Sequence, residues 1–230
     1  MLGKFLEIAL ACSDPHAGWE MYQRLGFAPA ETGDIWTHPY GVVTSGGLAL
    51  GLHGEAAEPL ALHTVRPNVL ELHRELEGLG VEVEAAQLGP DVFNQLLLRD
   101  PAGICLKVLE ARSFTPPAEV PVRTMLGRFD TLSIPASAPD AAAFWSRLGY
   151  AMRDASAPWS AIEVDGLPLA YHPAADCAEP LLLFRGDGLE PDLPALLACG
   201  LENLRPLPAL AGTGHLFMRL KRGIRFLLLA

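Results

Sequence analysis

The chain has 230 residues, enough for one large domain or two small ones. Half of them are hydrophobic and only 19% are charged, which excludes an intrinsically disordered chain. A net charge of −10 speaks against nucleic acid and anionic membranes as partners, because phosphate recognition needs clustered Lys and Arg.

The opening segment alternates. Phe5, Glu7, Ala9 and Ala11 fall on one face of a strand, and Leu6, Ile8, Leu10 and Cys12 on the other. The apolar second set is expected to pack on a helix, so Glu7 points the other way. Asp14 then caps a helix over Pro15–Leu25 that stops at Gly26. Strands are predicted near Val42–Thr44 and Leu48–Leu52. A second unit follows. Its strand is Leu60–Val65, and Asn68 is the expected cap of a helix over Val69–Leu79. Its further strands are Val81–Ala86, Phe93–Leu98 and Ile104–Leu109.

Arg112–Pro121 holds three prolines and reads as an extended linker. Beyond it come a strand over Phe129–Pro135, a helix over Asp140–Leu148, and strands over Trp159–Val164 and Leu167–Tyr171. A short helix, Asp192–Cys199, and strands Leu216–Leu220 and Ile224–Leu229 close the chain.

The halves repeat at a spacing of about 120 residues. Tyr22-Gln-Arg-Leu-Gly-Phe27 matches Trp145-Ser-Arg-Leu-Gly-Tyr150, and Gly47–His53 matches Gly166–His172. A finer repeat aligns Leu25-Gly26-Phe27 with Leu79-Gly80-Val81. The fold class is therefore α+β, built of four βαβββ modules. The first domain spans residues 1–111 (modules 1–54 and 58–111), the linker 112–121, and the second, diverged domain 122–230. No bilayer-length apolar run and no signal peptide are read. The four cysteines lack CxxC spacing, consistent with a reduced, cytoplasmic setting.

The aromatic-x-x-Leu-Gly-aromatic helix ends, the Asp100-Pro-Ala-Gly103 turn and the fourfold module order resemble the vicinal oxygen chelate superfamily. That superfamily includes glyoxalase I, extradiol dioxygenases and bleomycin-resistance proteins. The resemblance implies cup-shaped half-barrels, with a divalent metal, where present, held by His and Glu on the concave face. Carried over position by position, the ligand places fall on Glu7, Gly51, Ala61 and Lys107. In the second half they fall on Asp130, Ala170, Leu181 and Leu227. Each half keeps one potential ligand, whichever modules pair. The expectation is a degenerate metal site and no cofactor. A divalent ion returns only if this mapping is wrong, with Glu7, His53, His63 and Asp130 as donors.

Glu7, Lys107 and His63 are the candidate catalytic groups. Glu7 and Lys107 are expected to face each other as an ion pair, with Asp130 as the other candidate partner of Lys107. Phe5, Trp36, His53, Phe93 and Gln95 are candidate ligand-binding residues. Cys105 reads as inert packing. The expected function is metal-independent binding of a small apolar or aromatic molecule. The alternative is a lyase, isomerase or ring-cleaving dioxygenase using a divergent site around Glu7. Monomer (an internal pseudo-dimer) and homodimer both remain open.

Overall fold

The computed structural model describes residues 1–31, 36–114, 124–151, 158–186, 190–220 and 223–229. The proline-rich stretch after Phe114 therefore lies outside the described residues.

The first half contributes β1 (Lys4–Ala11), α1 (Pro15–Arg24), β2 (Ala28–Pro29), β3 (Tyr40–Ser45) and β4 (Leu48–His53). It continues through β5 (Leu60–Arg66), α2 (Val69–Gly78), β6 (Ala85–Gln87), β7 (Gln95–Arg99) and β8 (Cys105–Glu110). These strands form one sheet in the order β2-β3-β4-β1-β5-β8-β7-β6. The second half contributes β9 (Arg128–Pro135), α3 (Ala138–Arg147), β10 (Ala161–Val164), β11 (Leu167–His172) and β12 (Leu181–Arg185). After these come α4 (Leu193–Ala198), β13 (Leu201–Asn203), β14 (His215–Leu220) and β15 (Arg225–Leu229). They form a second sheet, β10-β11-β9-β12-β15-β14-β13. Each sheet is drawn from one half only. Module one thus pairs with two, through antiparallel β1 and β5, and module three with four, through antiparallel β9 and β12.

The Asp14 carboxylate accepts from the Ala17 amide at 3.0 Å, capping α1 as predicted. Asn68 does not cap α2. It sits at φ 57 with no side-chain bond, and the Glu110 carboxylate on β8 takes the Val69 amide instead, at 3.1 Å. The predicted strand at Val81–Ala86 starts only at Ala85, and Val81 instead packs in the core after the end of α2.

Ile8 and Leu10 face the helix side, where they join Tyr22, Leu72 and Leu76 in the main core. That core runs on into the second half through Phe144, Trp145 and Phe184. Phe27 meets Phe184 edge-on, with ring centroids 6.3 Å apart. Asp100, in the turn named above, accepts from the Ala102 and Ile104 amides at 2.9 and 2.8 Å. Its other oxygen accepts from the Tyr171 hydroxyl of the second half.

The two concave faces differ. In the second half Ala170, Leu181, Leu183, Phe217 and Leu227 meet Leu207 and Leu210 from the segment before β14, so apolar side chains fill the cup. In the first half the matching floor is small: Ala9, Ala61 and Cys105, with Leu97 beside them.

Candidate metal centre

Glu7 lies beside a β-bulge. Between Phe5 and Glu7 the register of β1 against β5 shifts, so Phe5 faces Thr64 while Glu7 faces His63. The shift reverses side-chain direction upstream of Glu7. Phe5 accordingly packs on the helix-side core rather than lining the cup, which corrects its expected role.

Glu7, His53 and His63 are 3%, 2% and 5% exposed. His53 Nε2 and His63 Nδ1 each lie 2.9 Å from Glu7 Oε1. Burial alone raises the Glu7 pKa, but the hydrogen bonds from His53 and His63 outweigh it and bring it down to about 2. Burial pulls the His63 pKa below 6.5, although its bond to Glu7 opposes this.

Gly51 makes this meeting possible. A Cβ there would stand 2.2 Å from Glu7 Oε2 and 2.7 Å from His53 Nε2. The position read as a missing ligand is the opening through which His53, two residues on, reaches the carboxylate. His63 likewise stands two residues beyond Ala61. A two-residue step keeps a strand side chain on the same face.

Around this trio sits a shell of rings. The Trp36 ring centroid lies 5.1 Å from that of His53, 5.2 Å from His63 and 5.6 Å from His38. His38, which the sequence reading did not single out, places Nε2 2.9 Å from His53 Nδ1. Its signal was its parity with Tyr40, which stacks on His53.

Other expected residues are placed differently. Lys107 does not pair with Glu7. Its ammonium stands 5.2 Å from the Trp36 ring centroid. Asp130 pairs with Arg185 at 3.2 Å, not with Lys107. Phe93 precedes β7 and is 47% exposed, in the loop rather than on the strand. Gln95 is half-buried on the same face of β7 as Leu97 and donates to Gln87 at 2.8 Å. Cys105 is buried, and burial raises its thiol pKa, in line with inert packing. His172, the repeat partner of His53, is bonded to Ser133 and to the Cys177 carbonyl, as a structural wall residue.

The expectation of a degenerate, metal-free apolar cup is therefore overturned. The donor atoms of Glu7, His53 and His63 lie within 4.8 Å of one another, a spacing one ion could bridge. A divalent ion needs an ionised carboxylate, and the lowered Glu7 pKa keeps it one. The space over Gly51 is taken by the Glu7 carboxylate and the His53 ring, which brings both donors to one point. The residues present fit a divalent ion.

No family model matches the sequence, and no curated relative does. Solved structures do. A catechol 2,3-dioxygenase aligns over 98% of this chain and 86% of its own, with TM-score 0.53 and 15% identity. The homoprotocatechuate 2,3-dioxygenase of Arthrobacter globiformis aligns over 99% and 79%, with TM-score 0.57 and 12% identity. A Mn(II)-bound glyoxalase from Novosphingobium aromaticivorans aligns over 98% and 81%, with TM-score 0.54 and 13% identity. The chain has the vicinal oxygen chelate fold, with two such domains in tandem.

Proposed function

We propose that the chain is a divalent-metal-dependent enzyme acting on a small oxygen-bearing molecule, with Glu7, His53 and His63 holding the ion. The observation that carries this reading is the convergence of the three buried donors from β1, β4 and β5. Two imidazoles and one carboxylate with open positions are the donor set of non-haem Fe(II) oxygenases, which favours a ring-cleaving dioxygenase. The structural likeness to a catechol 2,3-dioxygenase and a homoprotocatechuate 2,3-dioxygenase supports it, while the Mn(II)-bound glyoxalase keeps lyase or isomerase chemistry as the other outcome.

A bound ion supplies Lewis acidity to a substrate oxygen and, if it is iron, a route to dioxygen. The chain's own residues do the rest. Glu7 offsets the ion's charge. His38 holds the His53 ring through Nδ1, which leaves Nε2 toward the centre. Trp36 packs against both imidazoles and helps hold their rings in place. The partner is a small molecule. Among the described residues no helix is long and apolar enough to cross a membrane.

The test is reconstitution with Fe(II), Mn(II), Zn(II) and Ni(II), reading stoichiometry and melting temperature. Dioxygen uptake with catechol under Fe(II) would assign ring cleavage. Oxygen-independent loss of a methylglyoxal–thiol adduct would assign the lyase or isomerase. Failure of all four ions to bind one per chain would end the metal reading.

A further inference from the structure

Lys107 on β8 is in register with His63 on β5, and His63 with Glu7 on β1. One row across the concave face thus reads carboxylate, imidazole, ammonium. Glu7 is taken up by the two imidazoles. Among the described residues no carboxylate pairs with Lys107, whose ammonium lies against the Trp36 ring. The indole Nε1 of Trp36 is buried and has no hydrogen-bond partner. An orphaned buried donor costs stability unless something accepts from it.

These are two donors at one ring and one unbalanced charge. A divalent ion on Glu7, His53 and His63 would leave the site more positive, because the single carboxylate cancels only part of its charge. We infer that the site takes a carboxylate-bearing substrate, its anionic oxygens accepting from Lys107 Nζ and Trp36 Nε1. The inference rests on the metal-centre reading for where the rest of the substrate lies. It adds the class of molecule admitted: small organic acids in preference to their neutral analogues.

The test compares benzoate with benzamide, alike in shape and different in charge, by calorimetric titration of the full chain. Wild type, Lys107→Met, Lys107→Arg and Trp36→Phe are each titrated with and without Mn(II). Wild type is expected to bind benzoate more tightly than benzamide. Lys107→Met should weaken benzoate by at least about tenfold and leave benzamide nearly unchanged. Lys107→Arg should restore the preference. Trp36→Phe should cost benzoate a few-fold, as expected for one N–H donor. Unfolding curves confirm that each variant is folded. Equal affinity for the two probes in wild type, no benzoate binding, or an unaffected Lys107→Met overturns the inference. Failure to bind Mn(II) counts against the metal reading alone. The metal-free titrations then decide the role of Lys107 by the same criteria.

Discussion

His53 and His63 stand on opposite sides of β1, one on β4 and the other on β5, yet both reach the same oxygen of Glu7 at 2.9 Å. The parallel β1–β4 pairing sets Ala11 opposite His53, and the antiparallel β1–β5 pairing sets Glu7 opposite His63. The two imidazoles therefore arrive from different heights along the strand, and His53 must lean back over Gly51.

Removing a donor should remove the ion. Glu7→Gln and His63→Ala are each expected to weaken Mn(II) or Fe(II) by more than about 100-fold, beyond the usual effect of an outer partner. Calorimetric metal titration checks this. Affinities within a few-fold of wild type would show that these side chains are not ligands.

His38 reaches the centre only through His53. His38→Ala should weaken metal binding by roughly 10- to 100-fold while keeping one site per chain. Loss of stoichiometry would make His38 a ligand itself, and an unchanged affinity would leave it without a positioning role.

Gly51→Ala places a methyl group where Glu7 and His53 meet. The expected cost is about 1–3 kcal/mol of stability from overpacking, accompanied by loss of metal binding. Urea unfolding measures the first and metal titration the second. A variant that keeps wild-type values in both would show that the opening is not required.

The filled second cup should behave as core alone. Leu227 is fully buried there, and Leu227→Ala is expected to cost about 2–5 kcal/mol. Metal stoichiometry should not change. A drop in bound metal in the folded variant would place the site elsewhere.

The metal-free chain should lose stability on mild acidification. Burial holds both His63 and His172 below 6.5. The unfolded chain takes up these protons near pH 6.5 and the folded chain does not. The stability is therefore present above pH 6.5 and declines below it, by up to about 1.4 kcal/mol per pH unit for each group. Glu7 adds a further loss between 4.5, its ordinary value, and about 2. Urea midpoints at pH 7.5 and 5.5 measure the decline, and His172→Gln should flatten it. A wild-type midpoint equal at both pH values would contradict this account.

The module pattern was legible because it is written in local signals. Alternation in β1 put Ile8 and Leu10 on the helix side and Ala9 on the cup side, and the Asp14 cap marked the start of α1. Alternation failed where the bulge intervenes, so Phe5 was assigned to the wrong face. Phe93 failed for another reason: a strand beginning two residues later leaves an aromatic side chain in a loop.

The sequence by itself determined the duplication, the α+β class and the inward direction of Glu7, because each depends on spacing and period along the chain. Which modules pair is set by contacts between strands far apart in sequence, and only the sheet order decided it. The centre depends on that pairing. His53 and His63 stand two positions from the places matched to ligands, a shift that preserves their face and so cannot be judged from parity. Only the combined registers of β4, β1 and β5, and the missing side chain at Gly51, bring both rings to one carboxylate oxygen.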